Sequence, residues 1–379
     1  MEIKKDEFGP EMIVKVYDPK IGMEGFLVVH NTALGPGKGG IRMTPNITEE
    51  EVYRLASTMT WKNSLAGIPF GGAKAGIVWN GGTEELKKQF VQSFARSIKL
   101  LTPKKYIAGP DVNTGEKEMT WFVDATGNWR SATGKPANLC MKIFGGEGEK
   151  CGIPHEFGST GWGVAQSTKA VADALGLDFN GIKVSIHGFG NVGTFTYKFL
   201  TEMGAKVVAL ADHTGVIHSE DGLDGKKIKD MVREGKHISS YPGLKKLSPE
   251  DFWKIPVDIM IPASVTDVIN ENNKKDIKAK IIIEAANIPM REEIEQELLG
   301  KGIFILPDFV ANAGGVISSY AEYRGYNPKR MFEIVKNRIT KATNSIVKKS
   351  LKKKENPRKI AMEIARERVV KAMRNRKEK

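Results

Sequence analysis

Four polar residues in the first third of the chain have the types and settings that chemistry requires. Lys62 and Lys74 lie twelve residues apart in Met59–Ile77, MTWKNSLAGIPFGGAKAGI. Lys74 falls in a Gly-Gly-Ala-Lys-Ala-Gly segment that reads as a loop, where missing Cβ atoms let a substrate come close to the backbone. Two lysines near one pocket repel each other, and the less hydrated of the two gives up its proton more readily, as a general base must. Lys38 stands in a second glycine-rich run, GPGKGG, and Asp111 follows in AGPDVNT. Taken singly, each is more often a solvated surface residue. Taken together, three lysines suit an anionic substrate, and Asp111 supplies a carboxylate for moving protons. The site they suggest is one for a di-acid.

A second constellation lies further along. Gly188-Phe189-Gly190-Asn191-Val192-Gly193 matches G-x-G-x-x-G, follows the strand-like KVSIH and opens a helical pattern. The first two glycines allow a tight turn and the approach of a pyrophosphate to a helix N-terminus; the third lets helix and strand pack. Asp212 ends the next strand-like run, 19 residues after Gly193, placed to accept hydrogen bonds from the adenosine ribose. An acidic residue there favours NAD over NADP, although His213 and Thr214 beside it could accommodate a phosphate. NAD or NADP is therefore the expected cofactor, leaning towards NAD, and no metal site is expected.

The elements that must hold these residues follow from periodicity. Met12–His30 reads as two strands, Thr48 caps a helix carrying Val52, Leu55, Ala56 and Met59 on one face, and Lys62 falls near that helix's end. Helices are expected over Thr83–Leu101 and Glu116–Thr126. From Gly158 helices and strands alternate, with strands at Lys183–His187, Val207–Ala211, Ile259–Pro262, Lys280–Glu284 and Ile303–Pro307. Such alternation indicates a parallel, doubly wound sheet. The expected fold is α/β with two domains: 1–150 for substrate and oligomer contacts, 151–325 for the dinucleotide in a Rossmann-type sheet. A basic helical segment, 326–379, should pack back on the first.

Composition limits the alternatives. The 379 residues carry a net charge of +13, but residues 329–379 hold 19 Lys or Arg against 5 Asp or Glu. The rest of the chain is thus close to neutral, and the basicity reads as a solvated helical face rather than a nucleic-acid surface. No apolar run approaches a membrane span, and the N-terminus has no secretory pattern. Cys140 and Cys151 are too few for a disulfide framework and lack zinc-ligand spacing. A cytoplasmic protein is expected, with neither membrane nor nucleic acid as partner.

The stretches HNTALGPGKGGIRM, MTWKNSLAGIPFGGAKAGI, AGPDVNTGEKEM, TGKPANL, GSTGWGV, GFGNVG and LPDFVANAGGVISSYAEY occur in an order that resembles the glutamate, leucine, valine and phenylalanine dehydrogenases. The resemblance spans about Met12 to Tyr323 and implies a role for each matching residue. Lys74 would activate water and stabilise the developing carbinolamine, Asp111 would exchange protons with the amine, and Lys62 would bind the α-carboxylate. Thr160 and Asn287 would lie along the nicotinamide, with Asn312 near the reacting amino group. Lys38 and Ser319 match the pair that holds the γ-carboxylate in glutamate-specific members; branched-chain members carry an apolar residue in place of Lys38. The implied reaction is reversible oxidative deamination of L-glutamate to 2-oxoglutarate and ammonia, in a cleft between domains and in a homo-oligomer, most often a hexamer. A leucine or valine dehydrogenase shares every catalytic residue and is the alternative. A non-catalytic dinucleotide-binding regulator is the alternative from another class. Trp162 stands where the family more often has Arg or Tyr, EAANIPMR replaces EGANGPTT, and FGGEGEKCGIPHEF has no counterpart.

Overall fold

The computed structural model describes residues 5–142, 149–154, 157–244 and 246–377; half of the FGGEGEKCGIPHEF segment lies outside them. The chain forms two compact units. The first comprises residues 1–157, 316–334 and 362–379, and the second residues 158–315 and 335–361. The division after the first unit falls at 157/158, where sequence reading put it at 150/151. The C-terminal segment is shared: residues 335–361 group with the second unit.

Unit 1 is built on a six-stranded mixed sheet. Strands β1 (Met12–Asp18), β2 (Met23–Asn31) and β5 (Gly71–Val78) run antiparallel in that order. Two short strands, β3 (Gly37–Lys38) and β4 (Ile41–Thr44), pair with β5 in parallel, and β6 (Tyr106–Ile107) extends the sheet beyond β3. Helix α1 (Glu49–Leu65) starts where the Thr48 hydroxyl accepts from the Glu51 amide, with Glu49, Glu50 and Glu51 complementing the helix dipole. Helices α2 (Glu84–Ser97) and α3 (Glu116–Thr126) pack with the other face, closing a core that includes Leu27, Met43, Ile77, Phe94 and Phe122.

The glycine-rich segment around Lys74 is a correction to the loop expected there: it is β5, at the centre of the sheet. The glycines serve packing. A Cβ on Gly72 would lie 2.1 Å from the Thr60 hydroxyl and 2.3 Å from the Thr60 amide on α1, and one on Gly71 would lie 1.9 Å from the Asn31 carbonyl. Helix and strand therefore approach closer than side chains would allow. Lys38, expected in a loop, is likewise on a strand, β3.

A small hairpin of β7 (Cys140–Lys142) and β8 (Glu149–Cys151) sets Cys140 opposite Cys151, and the two form a disulfide. Cross-strand pairing, invisible in their spacing, brings them together.

Unit 2 starts with α4 (Ser159–Ala174) and continues through β9 (Lys183–His187), α5 (Asn191–Glu202), β10 (Lys206–Asp212), β11 (Gly215–His218) and α6 (Gly225–Arg233). It goes on with β12 (Ile259–Pro262), β13 (Ile281–Ile283), α7 (Glu292–Gly300), β14 (Phe304–Leu306) and the short α8 (Asp308–Ala311). The sheet order is β11-β10-β9-β12-β13-β14, parallel except for the β10–β11 hairpin. All five expected strands are present; β11 is additional. The chain order reverses on either side of β9, so the loop after β9 lies at the switch point where doubly wound sheets bind ligands.

Three helices complete the chain: α9 (Gly314–Arg324), α10 (Pro328–Lys353) and α11 (Pro357–Lys377). Not all of the basic residues in α10 and α11 are solvated. Arg368 donates to the Ser64 and Leu65 carbonyls, Arg366 lies over the Trp61 ring, and Arg376 reaches the Thr32 hydroxyl. Arg358 meets three carboxylates of unit 2. Among the described residues, no helix is long and apolar enough to cross a membrane.

Candidate active site

In unit 1, β5 carries Lys74 opposite Val28 of β2, where the side chain is buried. Its ammonium forms an ion pair with Asp111 Oδ2. Asp111 sits in a turn after β6, with its amide donating to the Thr114 hydroxyl and the Thr114 hydroxyl donating to the Ile41 carbonyl. This pins the turn to β4. From β4, Arg42 reaches Asp111 Oδ1 at 3.3 Å and Glu51 of α1 at 2.8 Å. Burial alone would raise the Asp111 carboxyl, but Lys74 and then Arg42 overrule it and hold the group below its ordinary value. It is thus an anion at neutral pH, touching an ammonium with which it can exchange a proton. Sequence reading missed Arg42; its signal was a lone charge in the apolar run Ile41–Met43. Lys62 is half-buried in the last turn of α1, as expected.

Lys38 is the more unusual lysine. It is only 4% exposed, and its Nζ donates to the Ala108 carbonyl at 2.9 Å. Gly109 leaves it room, since a Cβ there would lie 2.3 Å from that Nζ and 3.8 Å from the Thr133 hydroxyl. Thr133 Oγ1 is itself buried with no hydrogen-bond partner among the described residues. Burial pulls Lys38 down to about 7; Glu322 opposes this, while Lys74 and Lys135 add to it. A buried ammonium with donors to spare, beside an unsatisfied hydroxyl, can hold a carboxylate. Sequence reading quoted Thr133 within TGKPANL but gave it no role. Ser319 is buried on α9.

In unit 2 the loop after β9 has the form a dinucleotide needs. Gly188 has φ +107°, and a Cβ on it would lie 2.7 Å from the Ala263 backbone. A Cβ on Gly193 would lie 1.9 Å from the Gly188 carbonyl, so the third glycine is the packing glycine. Gly190 faces open space at the N-cap of α5, which has no side-chain cap; with Phe189, Asn191 and Val192 it leaves the helix amides free to hold phosphate. The residues present fit a dinucleotide.

At the adenosine end, Asp212 is more engaged than expected. Its Oδ1 accepts from the Thr214 amide and hydroxyl, and its Oδ2 from the Ile238 amide. About one of a carboxylate's four acceptor positions remains for a ribose hydroxyl. His213 and His237 flank it, their rings 4.6 Å apart. At the other end, Asn312 Nδ2 donates to Asn287 Oδ1 at 2.8 Å, bringing two predicted site residues together. Thr160, in the first turn of α4, packs near Gly314, two residues beyond Asn312: a Cβ on Gly314 would lie 3.0 Å from the Thr160 Cα.

The sequence profile of the glutamate/leucine/phenylalanine/valine dehydrogenases matches residues 151–377, and that of the family's dimerisation domain matches residues 10–128. The chain belongs to this family. An NAD(P)-dependent amino-acid dehydrogenase activity follows from membership. Among its relatives, the NADP-specific glutamate dehydrogenase of Saccharolobus shibatae is 37% identical over 97% of this chain and 90% of its own length. The NAD-specific glutamate dehydrogenase of Clostridioides difficile is 36% identical over 82% of this chain and 75% of its own. The hetero-hexameric glutamate dehydrogenase of Thermus thermophilus, in a leucine-bound form, superposes with a TM-score of 0.83 at 27% identity, covering 97% and 90% of the two chains.

Proposed function

We propose that this family member is a glutamate dehydrogenase, acting reversibly on L-glutamate, 2-oxoglutarate and ammonia. The observation that carries this reading is the buried Lys38 ammonium, with the unpartnered Thr133 hydroxyl facing the same bare side of Gly109. An apolar substrate side chain would leave the hydroxyl and the remaining donors of the ammonium unsatisfied, whereas a side-chain carboxylate meets both. Ser319 completes that seat. Lys62 pairs with the α-carboxylate; Asp111 takes the proton of Lys74 and gives it to the amino group as ammonia leaves, and Lys74, then a neutral amine, draws the proton from the attacking water and steadies the carbinolamine. Asn312 holds the amino group and, with Asn287 and Thr160, orients the nicotinamide end. The bound nicotinamide supplies the hydride acceptor, or the donor in the reverse direction.

NAD is the favoured cofactor on the strength of Asp212, against relatives named for each of the two cofactors. We also read the protein as a cytoplasmic homo-oligomer, a hexamer. Oxidation of NADH or NADPH with ammonia tests the reading, with 2-oxoglutarate compared against 4-methyl-2-oxopentanoate. Preference for 2-oxoglutarate supports it; preference for the branched acid keeps the mechanism and overturns the substrate. In Lys74→Ala, turnover should fall by about a thousandfold with cofactor affinity unchanged. Wild-type-like turnover in that variant would remove Lys74 from its role, and no turnover in the wild-type protein would favour a binding protein.

A further inference from the structure

We infer that Arg358 is a positioning residue for the nicotinamide end of the cofactor site: through Glu284 and Asp308 it fixes the Asn287–Asn312 amide pair. The inference rests on reading unit 2 as a nicotinamide dinucleotide site.

Arg358 lies in the first turn of α11 and gives each of its three nitrogens to a different carboxylate. Nη2 meets Glu284 at 2.5 Å, Nε meets Glu295 at 2.6 Å and Nη1 meets Asp308 at 3.1 Å. Asn356 donates to the other oxygen of Glu295 at 3.1 Å and accepts from the Arg358 amide, which sets the guanidinium's approach. Three buried carboxylates around one cation leave an excess of negative charge. Burial accordingly pushes the Glu284 carboxyl up to about 8, against the pull of Arg358.

Two of these carboxylates have a second duty that leads to the site. Glu284 Oε2 also accepts from the Asp308 amide at 2.8 Å, and Asp308 Oδ2 accepts from the Ile288 amide at 3.0 Å. Ile288 has φ +49°, a region that a β-branched residue enters only under strain. It is 56% exposed, so packing does not hold it there. What holds it is the Asp308 carboxylate on one side and, on the other, the Asp267 amide donating to its carbonyl. Asn287 is the preceding residue. On the opposite branch the Asn312 amide donates to the Asp308 carbonyl, one helical turn away. Asp308 thus anchors both members of the amide pair, and Arg358 anchors Asp308. A half-buried fork whose buried partners maintain a strained, exposed backbone is a costly way to build stability, and strain of this kind collects where a ligand needs it.

Arg358→Lys keeps the charge and loses the three-pronged geometry. The test compares fluorescence titration of NADH with competition by ADP-ribose, which lacks the nicotinamide, together with kcat and thermal midpoint. If NADPH is the better cofactor, it and 2′-phospho-ADP-ribose take their places. The expected result is NADH binding weakened about tenfold, ADP-ribose unchanged within twofold, and kcat lowered about tenfold. Equal weakening of both ligands, or a lowered midpoint with affinities and kcat unchanged, would assign Arg358 to the fold alone and overturn the inference. Should the lysine variant not fold, Asp308→Asn, of the same shape, is expected to show the same split and overturns the inference if it does not. A wild-type protein that binds NADH no better than ADP-ribose would instead overturn the reading of unit 2 itself.

Discussion

Unit 1 buries two lysines within reach of the same glutamate, and their fates differ. Lys135 is fully enclosed: its Nζ meets Glu322 Oε1 at 2.5 Å, donates to the Ala132 carbonyl and lies 3.8 Å above the Trp129 ring. Glu322 in turn accepts from the Gly134 and Ile153 amides. Lys38 feels the charge of Glu322 but does not touch it; among the described residues its ammonium has the Ala108 carbonyl and an adjacent hydroxyl without a partner. One lysine is closed into an ion pair, and the other has no carboxylate in contact among the described residues. A buried charge that the protein itself satisfies belongs to the fold, whereas one it leaves unsatisfied is available to a ligand.

This contrast can be tested in order of effect. Lys135→Met strands Glu322 in a dry interior and should cost about 3–5 kcal/mol of stability, read as a lowered denaturant midpoint. Adding Glu322→Gln should recover part of it; an undiminished midpoint in the single variant would mean that the pair is not structural. Lys38→Leu should do the reverse. Stability holds or rises, while kcat/KM for 2-oxoglutarate falls about a hundredfold and that for 4-methyl-2-oxopentanoate rises. Unchanged selectivity would close the open site and with it the case for glutamate.

A smaller effect follows from the Lys38 pKa of about 7. Only the charged form pairs with a side-chain carboxylate, so kcat/KM for 2-oxoglutarate should fall about tenfold per pH unit above that value. The limb should be absent in Lys38→Leu. The linked stability has the opposite sign. The folded-state pKa lies below the ordinary 10.5, so this group's contribution is full above the ordinary value and is lost as pH falls through about 7. Urea titrations of the wild type and Lys38→Leu across pH 6–10 would show the difference widening or not. Least of all, Thr133→Val should raise KM for 2-oxoglutarate about fivefold, the worth of one hydrogen bond, with kcat retained.

Sequence reading found the dinucleotide unit in some detail, because strands such as Val184–Ile186 and the glycines at 188, 190 and 193 report local needs of the backbone. It was weakest around β5. Glycines that make a turn and glycines that let a helix press on a sheet are the same letters, and the second use shows only when α1 is placed across the strand. Lys38, Lys62, Lys74 and Asp111 were identifiable as candidates from type and setting. The partners that separate their environments, Arg42, Thr133 and the Lys135–Glu322 pair, lie far from them in the chain, and pairings of that kind leave no local pattern. Nor did the spacing of Cys140 and Cys151 announce their bond.

The bare backbone of Gly72 has a geometric consequence. Thr60 of α1 rests where a methyl group would have been, and Lys62 and Lys74 each stand two residues from that point of contact. The spacing of helix and strand at that point is therefore gauged by a hydrogen atom. The smallest side chain at position 72 would act as a shim, lifting the helix from the strand and carrying Lys62 away from Lys74.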